Sequence, residues 1–277
     1  MSTETAADII TIRNGSNDPM QTGNDQMNPG FQFKQFYVRH DRCAMKVGTD
    51  GVLLGAWTET PHLPCSVLDI GTGSGLVALM LAQRFPEAHI DAIDIDESAV
   101  NQAAENFAAS PWSDRLHAYH SCLQDWQFVN GKCPKGKWYD LIVSNPPYFQ
   151  NSLKNPDSGR KQARHTDTLS YEELFAHSTR LLRTGGRLAL ILPAEEEEHA
   201  RLLADSNGLF LTRVTRVFSK ESKPARRVLL CFCKPDSQNT DTSKQRDFVP
   251  PEDTLVLENE KGGRSAAYQE LTKDFYL

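Results

Sequence analysis

Residues 67–75 read Val-Leu-Asp-Ile-Gly-Thr-Gly-Ser-Gly, and this stretch decides the architecture. The apolar run 66–70 (SVLDI) has the character of a buried strand and feeds straight into Gly71, Gly73 and Gly75. Leu76, Leu79, Met80 and Gln83 then recur at helical spacing until Pro86 stops the helix. Glycines at alternate positions permit a tight turn and let backbone N–H groups approach a ligand that a Cβ would block. A second strand, 89–94 (HIDAID), ends in Asp94, 23 residues after Gly71. A carboxylate at that point can accept hydrogen bonds from both hydroxyls of a ribose. Position 76 is Leu, so the pattern departs from the dinucleotide fingerprint G-x-G-x-x-G.

Working outward, the alternation continues. Residues 97–108 place Val100, Ala103, Ala104 and Phe107 on one helical face, and 139–144 (YDLIVS) is a strand. Ser170 and Glu173 form a capping box that opens a helix to about Arg183, closed by Gly185-Gly186, and 187–192 (RLALIL) is the next strand. Strands alternating with helices predict an α/β fold, a mostly parallel doubly wound sheet. Residues 211–218 and 227–234 are strand-like runs joined by a short Lys/Pro turn, which predicts an antiparallel C-terminal hairpin at one sheet edge. The segment 235–250 reads as a polar surface loop. Upstream, residues 33–57 read as short strands and turns leading into a helix, and 1–30 as a loose polar tail. The expected organisation is that tail followed by one domain, 31–277.

The G-x-G-x-G spacing two residues behind Asp69 resembles the S-adenosylmethionine loop of Rossmann-like methyltransferases. A second motif, Asn145-Pro146-Pro147-Tyr148, follows the strand 139–144 directly, which puts it in the crevice beyond the strand's carboxyl end. Two prolines fix φ and stiffen the loop. Their chemistry can be derived. An exocyclic amine on a base, or an amide nitrogen, is a poor nucleophile because its lone pair is delocalised. The Asn145 side-chain oxygen and a prolyl carbonyl can hold its two N–H groups, draw the nitrogen towards sp³, and aim the recovered lone pair at a sulfonium methyl. Transfer is then an in-line displacement governed by positioning and electrostatics. Tyr148 can stack on the planar substrate, and Phe149 can help hold a flipped-out base.

The chain has 277 residues, with 30 Lys+Arg against 36 Asp+Glu for a net charge of −6. No run approaches the roughly 18 apolar residues of a membrane span, and the N-terminus lacks the basic and apolar regions of a signal peptide. Six cysteines are too few for a disulfide scaffold. The reading is a soluble, cytoplasmic protein with no membrane partner, taken as a monomer. No His or Cys spacing suits a metal. Cys231 and Cys233 share a strand face, and Trp57 and Trp126 read as core. The acidic total conceals local reversals. Between residues 211 and 234, seven basic residues oppose Glu221 alone, and Lys154, Arg160, Lys161 and Arg164, with His165, crowd the stretch after the Asn-Pro-Pro-Tyr motif. Basic residues there suit a polynucleotide backbone. Glu195–Glu198 reads as an exposed helix start.

The pairing of VLDIGTGSG with SNPPYF resembles the amino-methyltransferases that act on adenine N6, guanine N2 or glutamine amide nitrogen. With FKQFYVRHDRCAMKVGTDGVLLGAW, SNPPYFQNSLKN and the C-terminal YQELTKDFYL, the likeness over residues 33–277 is to the bacterial tRNA(Val) adenine-37 N6-methyltransferase family. The resemblance implies S-adenosylmethionine as cofactor and tRNA as partner. It also implies that Asp69, Gly71 and Gly73 contact the methionine part of the cofactor, that Thr72 and Asn145 belong to the cofactor site as well, that Asp94 takes the ribose, and that Asn145 and Pro146 bind the target amine. Segment 31–60 would cover the cofactor, with Thr49 and Asp50 in it. Where such enzymes carry an acidic residue near the adenine amine, this sequence has Cys122 followed by Asp125, and the choice between them stays open. Methylation of a protein glutamine or a DNA adenine by the same chemistry, and a non-catalytic RNA-binding module, are the competing readings.

Overall fold

The central strands of the sheet form where Val, Ile and Leu concentrate. The computed structural model describes residues 30–43, 45–126, 138–147, 169–236 and 249–277. Strands β1 (Gly30–Gln32) and β2 (Tyr37–Arg39) pair as a small antiparallel ribbon ahead of helix α1 (Thr49–Trp57). Then come β3 (Ser66–Ile70), α2 (Leu76–Arg84), β4 (His89–Asp94), α3 (Glu97–Ala108), β5 (Leu116–His120) and β6 (Tyr139–Ser144). They are followed by α4 (Tyr171–Leu181), β7 (Leu182–Pro193), α5 (Glu197–Ser206), β8 (Phe210–Phe218), β9 (Ala225–Cys233), β10 (Glu252–Val256) and α6 (Ala266–Thr272).

Eight strands make one sheet in the order β10-β8-β9-β7-β6-β3-β4-β5. All run in one direction except β9, which is antiparallel to both β7 and β8. The expected hairpin is therefore present, but it is not the edge. β10 pairs in parallel outside β8, with Leu255 buried, so part of the C-terminal region beyond the hairpin extends the sheet. The expected helix end also moves. α4 stops at Leu181, its capping box intact, and Gly185-Gly186 lie inside β7 instead of closing the helix. A Cβ on Gly186 would sit 2.9 Å from the Tyr139 carbonyl, so glycine lets β6 and β7 close up where their register shifts.

Strand side chains alternate between two apolar layers. Val67, Ile90, Leu141 and Ile191 face the layer of α1 and α2, together with Ala103 and Phe107 of α3. Leu68, Ile70, Ile142 and Leu190 face the layer of α4 and α5. Trp57 and Trp126 are both buried, as expected. Ile93, Ile70 and Ser144 are aligned across β4, β3 and β6, so the carboxyl ends of these strands meet at one edge. The chain reverses its direction of travel across the sheet between β3 and β6, which makes this edge the natural ligand crevice. At the other end of the described chain, the Lys34 N–H donates to the Phe275 carbonyl at 2.8 Å, and Tyr276 stacks on Phe33 and meets Phe31 edge-on. Among the described residues no helix is long and apolar enough to cross a membrane.

Candidate active site

The turn after β3 is built from backbone geometry that glycine alone adopts readily. Gly71, Gly73 and Gly75 have φ of +69°, +55° and +81°. The N–H groups of Gly71 and Thr72 donate to the Ile93 carbonyl at 2.9 and 3.1 Å, stitching the turn to β4. Gly75 is constrained twice, since a Cβ there would lie 2.5 Å from the Phe107 ring of α3. At Gly71 and Gly73 an added Cβ would meet no atom within 4 Å. These two line a cavity of about 640 Å³ at the carboxyl edge of the sheet.

Asp94 closes one end of that cavity. Its carboxylate accepts from the Gly73 N–H at 2.9 Å and from the Asp96 N–H at 3.0 Å, which fixes its orientation and leaves lone pairs for a ligand. Asp69 and Thr72 are not brought to the cavity wall. Both are buried, and the Thr72 hydroxyl donates to the Asp69 carboxylate at 2.7 Å, so the pair supports the turn from beneath. Burial pushes the Asp69 carboxyl up to about 7, against the opposing pull of the Thr72 hydroxyl and the Ala78 N–H and with a contribution from Asp94.

The walls are largely apolar, with Ile70, Ile93, Ile95 and Leu123 among them. Cys122 lines the cavity, and its thiol donates to the Asp125 carboxylate at 3.2 Å. Burial first, then the hydrogen bond to Asp125, raises the Cys122 thiol above the ordinary value. The segment before α1 does contribute to the wall, through Cys43 and Met45. Thr49 and Asp50 do not line the cavity, and Asp50 instead accepts from the Arg227 guanidinium at 2.8 Å. Burial and the charges of Asp94, Asp96 and Asp41 push the Cys43 thiol up to about 11.

Asn145, Pro146 and Pro147 close the other end of the cavity, directly after β6. Their position is set by Ser144, which is buried and donates its hydroxyl to the Ile70 carbonyl at 2.8 Å. The structure thus brings Gly71, Gly73, Asp94, Asn145 and Pro146 to one cavity. Tyr148, Phe149, Lys154, Arg160, Lys161, Arg164 and His165 lie outside the described residues.

Two site residues escaped the sequence reading. Ala104 of α3, expected on the apolar face, is exposed, while Gln102 and Asn106 are buried. The Asn106 amide accepts from the Arg39 N–H at 2.9 Å and donates to the carbonyls of Arg39 and Ser74, both at 2.8 Å. Gln102 accepts from the Arg42 N–H at 3.2 Å, Ser98 donates to the Arg42 carbonyl, and the Arg42 guanidinium pairs with Glu105. One polar face of α3 therefore fastens the segment carrying Cys43 to the glycine turn. An Asn and a Gln four residues apart beside an apolar stripe were the available signal.

Charge on the hairpin differs from its sequence appearance. Arg213 pairs with Glu59 at 3.0 Å and Asp253 at 3.6 Å and stacks on Trp57. Arg216 pairs with Glu197 at 2.7 Å and Glu252 at 3.0 Å, and Arg227 with Asp50. Lys234 donates to the Thr179 and Leu182 carbonyls, near the end of α4. Arg213, Arg216 and Arg227 are thereby neutralised, so the hairpin strands do not form the continuous basic surface that the residue count suggests. Glu197 is half-buried in this network, so the acidic run at the start of α5 is not wholly solvated. Among the described residues no group of three or more His, Cys, Asp or Glu side chains is arranged to hold a metal ion.

Comparison with known proteins follows the same lines. Residues 51–209 match the methyltransferase small domain family. The crystal structure of protein Atu636 from Agrobacterium tumefaciens, titled a predicted O-methyltransferase, aligns with a TM-score of 0.59 over 82% of this chain and 96% of that one. At 15% identity it shares the fold. A tRNA1(Val) (adenine(37)-N6)-methyltransferase of Christiangramia forsetii is 44% identical over 250 residues, which is 90% of this chain and 98% of that protein. Its namesake in Bacteroides fragilis is 46% identical over 249 residues, again 90% and 98% of the two chains. With identity of this order running along nearly the whole of each relative, the protein belongs to the tRNA1(Val) (adenine(37)-N6)-methyltransferase family.

Proposed function

We propose that the protein transfers a methyl group from S-adenosylmethionine to the exocyclic N6 of adenine 37 in tRNA1(Val). The observation that carries this reading is one cavity with a glycine-and-carboxylate cradle at one end and Asn145-Pro146-Pro147 at the other. The residues present fit the cofactor. A side chain at Gly71 or Gly73 would occupy open space on the cavity side, so their absence leaves room for a ligand against the backbone. Asp94, oriented by two N–H groups, would take ribose hydroxyls, and Ile95, Cys122 and Leu123 would flank the base. S-adenosylmethionine supplies an electrophilic methyl on a sulfonium centre.

The rest is the work of the chain itself. Asn145 offers a side-chain oxygen and Pro146 a carbonyl, two acceptors for the two N–H groups of the adenine amine. Holding both hydrogens would withdraw the nitrogen lone pair from the ring and point it along the line of displacement. The N–C bond would form as the sulfonium C–S bond breaks to a neutral thioether, and one of the two held protons would then pass to water. The apolar wall excludes competing water. Tyr148 supplies a stacking surface, and Lys154, Arg160, Lys161 and Arg164 follow closely enough in sequence to hold flanking phosphates.

The test incubates the purified protein with labelled S-adenosylmethionine and tRNA from a strain lacking the enzyme, followed by nucleoside mapping. N6-methyladenosine at position 37 is the expected product. Label in protein glutamine, in DNA, or nowhere would overturn the proposal. Asn145→Ala should lower methyl transfer by about 10²–10³-fold with cofactor affinity nearly unchanged, because its amide acts on the target amine.

A further inference from the structure

The basic residues of the hairpin divide into two groups by position. Along the strands Arg213, Arg216 and Arg227, with Lys234 just past β9, are answered by acids or carbonyls brought from Asp50, Glu59, Thr179, Leu182, Glu197, Glu252 and Asp253. Those at and beside the turn are not. Lys223 in the turn and Arg226, the second residue of β9, are exposed and, among the described residues, form no ion pair with an acidic side chain. Among the described residues Lys220 meets one acid, Glu258 at 3.3 Å, with both side chains nearly half exposed at 47% and 44%, a pair that water and salt readily loosen. Glu221 is the one acid within residues 219–226. The turn is closed by the Lys223 N–H donating to the Lys220 carbonyl at 3.1 Å.

The register of the sheet places this turn at the catalytic edge. Ser144 is level with Leu190, and Leu190 with Leu230. From Leu230 the hairpin continues to Ala225, opposite Phe218, before the chain turns. Five residues of strand raise the turn about 15 Å above the level at which Asn145 begins. β9 is two strands from β6, a lateral offset of about 10 Å. Asp50 and Arg227 tie the base of this ridge to the start of α1, and exposed Lys46 lies four residues before Asp50, next to Met45 of the cavity wall.

We propose that the β8–β9 turn is a ridge that grips the RNA backbone beside the target base, with Lys223 and Arg226 as its phosphate contacts and exposed Lys46, in the segment that Asp50 ties to the ridge, contributing a further charge. The proposal rests on the tRNA reading above. An Arg fork matches a phosphate in two-point geometry and a Lys serves as a point charge, so this pair positions the polymer without reading sequence. The ridge follows from which cations the fold leaves free, and it is separate from the basic stretch 154–164.

The test is the double variant Lys223→Glu/Arg226→Glu, assayed with full-length unmodified tRNA at several salt concentrations, beside Lys223→Gln/Arg226→Gln. The expected result is a KM for tRNA raised about tenfold or more in the Glu variant and less in the Gln variant. The logarithmic salt slope of tRNA binding should shrink by about 1.5, the loss of two phosphate contacts. The kcat at saturating tRNA and the affinity for S-adenosylmethionine should be unchanged. Arg180→Glu, in the last turn of α4 at the opposite edge of the sheet, should leave KM and slope as they are. If the native protein methylates tRNA but the double variants keep its KM and salt slope, or lose kcat instead, the ridge is wrong and the tRNA reading stands. If the native protein fails to methylate tRNA, the reading fails and takes the ridge with it.

Discussion

The glycine turn and the C-terminal hairpin handle charge in opposite ways. Around the turn, Asp94 and Asp96, which line the cavity, form no ion pair with a Lys or Arg among the described residues, and buried Asp69 beneath them has its charged form disfavoured by burial. Along the hairpin strands, Arg213, Arg216 and Arg227 each meet an acid within 3.0 Å. Unanswered negative charge beside a cavity is free to meet a ligand, and a positively charged one suits it. Answered positive charge on a strand holds elements together. The lesson is that the site is marked by the charges the fold leaves unmatched, and the number of charged residues in a stretch is a poor guide to it.

Titrating the buried carboxyl gives the largest expected break in this contrast. The Asp69 carboxyl rises from the ordinary 3.8 to about 7 in the folded protein. A group that binds its proton more tightly when folded favours the folded state at low pH, and that advantage is lost as pH climbs from about 4 to about 7. The full change is up to about 4 kcal/mol. Denaturant titrations of the native protein and Asp69→Asn between pH 4 and pH 8 should therefore diverge in favour of the variant, then run parallel above about pH 7.5. A constant difference across the range would mean that Asp69 is not held protonated.

Removing the clamp is next in size. Asn106→Leu strands the Arg39 N–H and the Arg39 and Ser74 carbonyls, at a cost of about 2–3 kcal/mol read from the urea midpoint. Asp94→Ala should weaken S-adenosylmethionine about 10–100-fold by calorimetry, since a charge-assisted acceptor for two hydroxyls is lost. Unaltered affinity would break the claim that unmatched acids mark the site. The smallest effect is expected on the hairpin. Arg216→Ala should cost no more than about 1 kcal/mol, fading at high salt, because its pairs are only part-buried, and the KM for tRNA should not move.

Whether a feature was legible in the sequence follows how far its causes lie along the chain. β3, the glycine turn and α2 were readable because apolar runs, the positive φ of Gly71, Gly73 and Gly75 and the stop at Pro86 are local demands. Asn145 was readable because its motif follows a strand directly. Burial of Asn106 was not, because the groups it satisfies belong to Arg39 and Ser74, 67 and 32 residues away. The neutralisation of Arg213 and Arg227 depends on Glu59 and Asp50, more than 150 residues upstream, which no window of sequence contains. β10 escaped for a related reason. Its Glu-Asp-Thr-Leu-Val carries one buried position, and only pairing with β8 makes it a strand.

The junction of Lys34 with Phe275 bears on how the protein is made. The ribbon of β1 and β2 leads into the segment that carries Cys43 and Met45, and its aromatic residues rest on Tyr276, more than 230 residues later. A contact of such long sequence separation carries a loop-closure cost that the sheet between its ends, once formed, reduces. During synthesis the aromatic cluster of the ribbon cannot be completed until the segment around Phe275 and Tyr276 has been made. The cavity wall that hangs from this ribbon is translated well before the contact that locks it.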